Sequence, residues 1–482
     1  MGIKLSEHKK FKISKLTDGV EFLDNKALHL QLNADSFALL DGITNKAFND
    51  NSNCYTVENG TDFYQIKADY CIGLDWLGNS GRYIQVEPKI NITNGENFEF
   101  CLNEDDESES FDKALRKDNS AEISIGLDYL KMLMDVMAFP VSAKEVKGLV
   151  NIDWNASKIN IDSRDDKLTP FLIIQFLQLL KAIVKKGLKK SYYKIQENLR
   201  SKIKGKILIG QHIKKNVLKN RFTNIFCEYQ VFGEDNYENR FLNKAFVFVC
   251  SYVNNHKAYF FSNAFDIEQI IDYCRPLFEH IGTSVELHQL KNIKTNPFFK
   301  EYKACIKIGE QILKRFAYNI SQTADQKIAT PPFWIDMPRL FELYIYEKML
   351  KANEGSASKI KYQFSTYGNA LDILIKQGKH SLVIDAKYKL HYKHGEVHAD
   401  MRQVAGYARL NKVLNELAYN NEDFVKDAVL PCLIIYPDIK NGIDLGEDLP
   451  AFKIENLITP YRRVKAYSEI YKLGVKLSLI YE

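Results

Sequence analysis

The segment ALDILIKQGKHSLVIDAKY, residues 370–388, constrains the fold of this chain most. Two apolar runs of the kind found in β-strands flank the tetrapeptide QGKH, which has Gly378 as its first central residue. Glycine at that position is typical of a two-residue type II′ hairpin. Counting outward from the turn places Asp372 opposite Asp385, and facing Cβ atoms lie about 4.5–5.5 Å apart. The sequence therefore predicts two carboxylates held side by side on adjacent strands.

Carboxylates in facing positions repel each other, so this pair needs either a bound proton or a bound cation. Hard oxygen ligands at this spacing suit Mg²⁺ or Mn²⁺. Lys387 lies two residues beyond Asp385 and should project from the same face of the strand. Such a lysine can orient a water molecule and offset charge on a phosphate. The alternative is an exposed hairpin with ordinary surface charges, and the apolar neighbours Leu371 and Ile384 argue against it.

The segments around the hairpin predict an α/β sandwich. Residues 333–350 are predicted to form a helix that carries Glu342. Residues 428–436 are predicted to form another strand, and Pro431 favours an edge or a bulge for it, because proline cannot donate to a sheet.

A second helix is predicted over residues 399–410. Gln403 and Tyr407 lie one turn apart on it and therefore share a face. They could support the site, or they could simply pack an amphipathic helix on the sheet. Arg402 is adjacent, and both phosphate contact and an ordinary surface charge are open for it.

The rest of the chain predicts a multidomain α+β protein. Short strands are expected in residues 62–77 and 81–90, which gives a β-rich N-terminal domain. Apolar periodicity predicts helices in the middle region, the first capped by Thr169 before a proline. These helices are expected at residues 170–184, 240–253, 267–281 and 298–317. The expected domains are residues 1–125, 126–325 and 326–482.

One stretch of the middle region is strongly basic. Residues 181–220 contain twelve Lys and one Arg against a single acid, Glu197, although the net charge of the whole chain is only +5. A surface that contacts phosphates is one interpretation. A solvated helix pair, or docking onto an acidic protein partner, are the others.

Several classes of protein are disfavoured. The eight cysteines include no CxxC pair, which favours buried thiols in a reducing compartment. The N-terminus lacks the apolar run of a signal peptide, and polar residues interrupt the apolar stretch at 170–184. We therefore expect a cytoplasmic protein without membrane contact. No GxxxxGK[ST], GxSxG or HExxH motif is present, so we expect no nucleotide bound by this chain.

The residues of the predicted sandwich resemble the PD-(D/E)xK nuclease superfamily. Leu371 stands where the proline of that name would be. Further motifs occur in the order found in the McrC family, and this resemblance extends from about Tyr83 onward. These motifs are Val86-Glu87-Pro88-Lys89-Ile90, Lys186-Gly187-Leu188 with Tyr192, Lys204-Gly205-Lys206-Ile207, Glu238-Asn239-Arg240-Phe241-Leu242 and Met337-xx-Leu340-Phe341-Glu342.

McrC-like proteins are the nuclease subunits of McrBC-type, modification-dependent restriction systems. The resemblance implies a Mg²⁺-dependent endodeoxyribonuclease with a C-terminal restriction-endonuclease-like domain. Its substrate would be double-stranded DNA carrying a modification such as 5-methylcytosine. Its partner would be a hexameric McrB-like AAA+ GTPase, which recognises and translocates DNA and whose hydrolysis it stimulates. The N-terminal domain would engage that ring, and whether the motor uses GTP or ATP stays open.

The resemblance also implies roles for single residues. Asp372 and Asp385 would bind the metal ion, with the backbone carbonyl of Ala386 as a third ligand. Lys387 would position the attacking water, and Glu342 would be a supporting acid.

Gln403, Tyr407 and Arg402 would contact DNA or support the site. Two alternatives remain: an activator of the motor that no longer cuts, and a stand-alone nuclease of the repair type. The intact acidic pair with its lysine disfavours the first, and the large region outside the nuclease disfavours the second.

Overall fold

The computed structural model forms two compact units, one of residues 1–160 and 329–482 and one of residues 161–328. The second unit is thus inserted into the sequence of the first. Mixed helices and sheets confirm the α and β composition that was predicted, while the three-domain division stays a prediction. The structure describes residues 2–16, 21–49, 52–103, 124–137, 146, 148–162, 165–257, 260, 264–285, 300–316, 327–366, 369–389, 392, 395–417 and 429–480.

Two sheets dominate the N-terminal part of the first unit, which confirms its predicted β-rich character. In the strand Lys10–Lys15, Phe11 and Ile13 are buried between more exposed neighbours, the period-two pattern of a half-buried strand. A six-stranded sheet has the order Phe22–Asp24, His29–Leu32, Lys10–Lys15, Phe63–Ala68, Ser52–Asn59, Lys46–Asn49. A five-stranded sheet has the order Gly2–Ser6, Tyr83–Glu87, Cys71–Trp76, Phe333–Asp336, Val150–Ile152.

The strand Phe333–Asp336 shows that the helix predicted over residues 333–350 was wrong at its start. The helix spans Met337–Ala352, and the Asp336 side chain caps it by accepting a backbone amide of the first turn. Aromatic and β-branched residues favour a strand before that point. Pro338 fits only the first turn of a helix, because it has no amide hydrogen to donate further along.

The predicted hairpin lies inside a second five-stranded sheet. Its register is the predicted one: Ile373 pairs with Ile384, so Asp372 and Asp385 each lie one residue beyond that pair. The strand order is Ile360–Thr366, Asn369–Ile375, Leu382–Ala386, Cys432–Pro437, Ile470–Val475. The first three strands are antiparallel and the last two add in parallel.

The turn of the hairpin depends on its glycine. Gly378 has a φ of +53°, a conformation that favours glycine. The Gln377 carbonyl accepts a hydrogen bond from the His380 amide at 3.0 Å, which closes the turn. The Ser381 amide then donates to the Gly378 carbonyl at 3.0 Å, so the turn continues as a short 3₁₀ helix, Gly378–His380.

The two following elements are present but shifted. The helix predicted over residues 399–410 spans Glu396–Ala408. The strand predicted over residues 428–436 is Cys432–Pro437, and residue 428 lies outside the described residues. This strand is internal, so the edge assignment was wrong. Pro431 comes just before the strand and interrupts none of its ladder bonds.

Smaller elements complete the first unit. A core cluster joins the sheet to the helix Glu396–Ala408 through Leu371, Val383, Met401 and Val404. Short helices span Ala34–Ala38, Asn94–Asn103, Tyr129–Met137, Asn411–Glu416 and Ile454–Leu457. Short strands span Lys89–Asn91, Ser124–Leu127 and Leu479–Ile480. The chain passes between the units within the strands Ile159–Asp162 and Lys327–Thr330.

The second unit contains the four helices predicted for the middle region, Leu168–Lys186, Tyr237–Asn255, Ala264–Phe278 and Lys300–Arg315. The predicted cap was wrong, because Asp166 accepts the amides of Leu168 and Thr169 at 3.1 and 3.3 Å. Within the described ranges, one helix, Leu168–Lys186, has the length and apolar composition to cross a membrane. It is mostly buried, as is usual for the core helix of a folded unit.

The basic segment contains two strands of a small sheet between helical stretches, so it is not a simple helix pair. Asn224–Gly233 lies between Ser191–Arg200 and Lys206–Ile207. A short helix, Ile209–Lys215, and a 3₁₀ turn, Val217–Lys219, connect two of these strands.

Replacing Asp166 with alanine should strongly destabilise the second unit. Asp166 and Arg315 form an ion pair at 2.9 Å with both side chains fully buried, and Asp166 also accepts from the Thr169 hydroxyl. Removing one partner leaves a buried unpaired charge, which costs about 3–5 kcal/mol. Urea unfolding followed by circular dichroism would measure this. Lys257→Ala, which breaks an exposed pair with Glu268, should cost under about 1 kcal/mol. Equal losses in both variants would contradict the prediction.

Candidate active site

Three carboxylates from separate elements come together at the hairpin. Asp385 lies near the end of its strand and is 2% exposed. Asp372 lies on the adjacent strand, and its Oδ2 accepts a hydrogen bond from the Ala386 amide at 2.8 Å. Glu342 approaches from the helix Met337–Ala352, close enough to interact electrostatically with both aspartates. The fold thus assembles the acids that the sequence predicts, from two strands and one helix.

This environment raises the pKa of Glu342 and the pKa of Asp372. Burial raises the pKa of Glu342 to about 7, with help from the charges of Asp336 and Asp385 and against the effect of Lys387. Burial, and then the charges of Glu342 and Asp385, raise the pKa of Asp372 well above its usual value. Burial and the neighbouring charges therefore favour the protonated form of both carboxyl groups unless a cation compensates their charge.

Lys387 is the nearest compensating charge. Its Nζ lies 2.9 Å from Asp385 Oδ2, and it donates to Gln403 Oε1 at 2.9 Å. Burial lowers the pKa of Lys387, but the charge and hydrogen bond of Asp385 outweigh burial, so its pKa is raised overall. The lysine is therefore a cation at neutral pH and not a general base.

The helix Glu396–Ala408 fixes this lysine. Gln403 accepts from Lys387 with its carbonyl oxygen and donates to the Tyr407 hydroxyl with its Nε2 at 2.8 Å. The two helix residues therefore act as a pair, as their spacing predicts. Arg402 is exposed on the same helix and donates to the His398 carbonyl at 3.2 Å. The contacts of the described residues do not bring Arg402 to the carboxylates.

The predicted ligands are carboxylate and carbonyl oxygens, the type of atom that a hard divalent cation such as Mg²⁺ prefers. Asp385 Oδ2 is buried and faces the Lys387 ammonium at 2.9 Å, so a metal ion would share this oxygen with the lysine. Within the described residues, no three His, Cys, Asp or Glu side chains are arranged around a common point. The predicted ligand set has only two such side chains, Asp372 and Asp385, with the Ala386 carbonyl. Its role as a metal site therefore stays a prediction.

Sequence reasoning missed two further acids near the cluster. The charge of Asp336 raises the pKa of Glu342. The sequence analysis did not single out Asp336, because it lay inside the helix predicted over residues 333–350. Asp400 forms an ion pair with Lys389 at 2.8 Å and raises the pKa of Lys387. Asp400 precedes Gln403 by three residues, so helical spacing could have placed it on the same face.

One more contact had no signal in the sequence. The hydroxyl of Tyr388 donates to Oε2 of Glu7 at 3.1 Å across 381 residues. Burial raises the pKa of Glu7 well above its usual value, against the hydrogen bonds from Tyr388 and the Lys89 amide. No local pattern identifies such a pair, because its two residues meet only in the folded first unit.

Glu342→Gln should remove part of the pH dependence of stability. The pKa of Glu342 rises from 4.5 to about 7 on folding, so its stabilising contribution is complete below pH 4.5 and is lost as the pH rises through about 7. In metal-free buffer, wild type should lose on the order of 2 kcal/mol more than the variant between pH 4.5 and 7.5. Urea unfolding at both pH values would test this. Glu447→Gln, at an exposed acid, should behave like wild type, and an identical slope for Glu342→Gln would refute the prediction.

Comparisons with known proteins bear on this site. The model of the family described as McrBC 5-methylcytosine restriction system component matches residues 78–419, which is 342 of the 482 residues. None of the curated proteins matches.

Two solved structures from Thermococcus gammatolerans are similar at low identity. One is the refined half-complex from a tetradecameric assembly of McrB AAA+ hexamers with bound McrC. It is 14% identical, covers 99% of this chain and 94% of that chain, and has a TM-score of 0.33. The other is the McrBC complex solved by cryo-EM, 12% identical over 84% of this chain and 99% of that chain, with a TM-score of 0.29.

Proposed function

This chain belongs to the McrBC 5-methylcytosine restriction system component family, and we propose that it is the nuclease subunit of such a system. It would hydrolyse phosphodiesters of modified, double-stranded DNA in the cytoplasm, with a centre of the PD-(D/E)xK type. The observation that carries this proposal is the cluster of Glu342, Asp372 and Asp385 beside Lys387. Carboxyl groups held this close repel one another unless protons or cations compensate their charge, so their assembly favours a functional role.

The residues of the cluster divide the chemistry among them. Asp372, Asp385 and the Ala386 carbonyl would hold Mg²⁺ or Mn²⁺, which when bound supplies Lewis-acid stabilisation of phosphate charge. The charged Lys387 is placed to orient a water molecule and to stabilise negative charge on the phosphate. Glu342, with a pKa of about 7, can exchange a proton with water near neutral pH.

The helix Glu396–Ala408 supports this centre. Gln403, held by Tyr407, fixes the direction of the Lys387 ammonium through its carbonyl oxygen. Arg402 is exposed on the same helix and is suited to a DNA phosphate. We therefore propose that these helix residues position Lys387 and the DNA and do not take part in the hydrolysis itself.

Asp385→Ala should abolish cutting and leave the protein folded. The variant loses a ligand of the predicted metal site. It also loses the ion pair with Lys387, which costs stability, and it removes a charge that repels Glu342 and Asp372, which offsets part of that cost. Modified and unmodified plasmids would be incubated with the full chain, an AAA+ partner of the same system, Mg²⁺ and GTP or ATP. The control is Glu447→Gln, which should cut like wild type. Faster nucleotide hydrolysis without any cutting by wild type would favour the activator alternative, and an unfolded Asp385→Ala would indicate a structural role.

The second part of the proposal is the partner, a hexameric AAA+ GTPase of the McrB type. Family membership supports it. The sequence contains no P-loop motif, so the energy for translocation would come from another chain. We propose that this chain also stimulates hydrolysis by that partner. The resemblance implies that residues 1–125 contact the AAA+ ring, and we retain this region as the proposed contact.

The second unit offers another candidate contact. Residues 209–222 carry a group of five exposed apolar side chains, which we call the apolar patch, and Leu218 is 74% and Phe222 72% exposed. Its members are Ile209, Ile213, Val217, Leu218 and Phe222. The same segment carries three exposed lysines, Lys214, Lys215 and Lys219. Aliphatic side chains in such number favour a protein partner over DNA, and the lysines favour an acidic rim on that partner.

Replacing Leu218 and Phe222 with serine should weaken binding of the AAA+ partner. Removing two exposed apolar side chains from an interface should lower affinity at least about tenfold. Binding would be measured by sedimentation or calorimetry, together with stimulation of GTP hydrolysis. Phe265→Ser, at a residue of the same unit that is 67% exposed, is the matched control and should bind normally. Unchanged partner binding with weakened DNA binding would assign the patch to DNA instead.

A further inference from the structure

A buried hydrogen bond connects the residue that follows the first strand, Gly2–Ser6, to the residue after Lys387. The Tyr388 hydroxyl donates to Glu7 Oε2 at 3.1 Å, and both residues are 3% exposed. Both lie in the first unit. Breaking a buried polar pair of this kind is costly, because the group left behind has no water to replace its partner.

Glu7 is itself firmly placed. Its amide donates to the Glu87 carbonyl at 3.3 Å. The next residue, His8, has a φ of +63°, which residues other than glycine rarely adopt. The His8 ring packs edge-on against Tyr70 at 3.8 Å, and the Tyr70 ring lies 6.2 Å from that of Tyr388. Strained backbone persists only where the surrounding structure requires it.

Tyr388 in turn contacts the neighbours of two site residues. It directly follows Lys387, whose amide donates to the Ile435 carbonyl at 2.8 Å. Its ring lies 5.9 Å from the ring of Phe341, which directly precedes Glu342. A shift of Tyr388 would therefore move the backbone beside both the lysine and the helical acid.

We propose that Glu7 is a positioning residue of the nuclease centre and acts through Tyr388. By fixing the Tyr388 side chain, it holds the Ala386 carbonyl and the direction of Lys387. The inference rests on the proposed function and extends it to a residue at the far end of the sequence. A misplacement of about 1 Å at a catalytic centre can cost roughly a hundredfold in rate.

Kinetics of three variants test this inference in the full chain with its AAA+ partner and Mg²⁺. Glu7→Leu and Tyr388→Phe should each lower kcat for cleavage about tenfold or more with KM for DNA unchanged. Glu7→Gln keeps an acceptor oxygen and should retain the wild-type kcat. Tyr302→Phe is the matched control, because it removes a buried tyrosine hydroxyl bonded to Asn239 at 2.8 Å in the second unit. It should leave kcat unchanged.

Amide hydrogen exchange supplies a readout that does not need cleavage. Residues 385–389 should exchange faster in Glu7→Leu and Tyr388→Phe than in wild type, and Glu7→Gln and Tyr302→Phe should match wild type. Unchanged exchange in Glu7→Leu, or a loss of kcat that Glu7→Gln fails to rescue, would overturn the inference. If wild type does not cut at all, the proposed function fails, and the exchange pattern still decides whether Glu7 positions this segment.

Discussion

Repulsion among three neighbouring carboxylates, of which Asp385 is buried and Glu342 and Asp372 are half-buried, is the constraint that the candidate site places on the first unit. Burial raises the pKa of both Glu342 and Asp372, and the charge of Asp385 raises the pKa of each of them further. The Lys387 ammonium compensates the charge of Asp385, and the hydrogen bond from the Ala386 amide compensates part of the charge of Asp372. Such a cluster is stable only if rigid elements hold its members against their mutual repulsion. The five-stranded sheet and the two helices beside it provide that rigidity.

The rigidity comes from distant parts of the sequence. The helix that carries Glu342 begins where the strand Phe333–Asp336 ends, and that strand belongs to a sheet built mainly from N-terminal residues. Glu7 reaches the residue after Lys387 from the same sheet region. The N-terminal part of the chain and the candidate centre thus belong to one structural unit. Within it, the N-terminal five-stranded sheet helps to position the acids, although none of the three lies in that sheet.

What the sequence could predict follows from how local each interaction is. The register of Asp372 against Asp385 followed from one tight turn, because a two-residue turn fixes pairing by counting. The Gln403 pair followed from helical spacing. The strand at 333–336 was missed because its partner strand lies more than 250 residues earlier, at Cys71–Trp76. Glu7 was missed for the same reason, and the roles of the site residues stay predictions.

The insertion of one unit into the other has a consequence for synthesis of the protein. Phe333–Asp336 lies between Cys71–Trp76 and Val150–Ile152 in its sheet. A ribosome that adds about 5–20 residues per second delivers that strand roughly 10–50 s after Tyr83–Glu87. Until then the nascent chain presents an open sheet edge, of the kind that pairs with foreign strands. It also lacks every acid of the cluster, because Glu342, Asp372 and Asp385 all follow that strand, so no part of the candidate centre is present before this sheet can be completed.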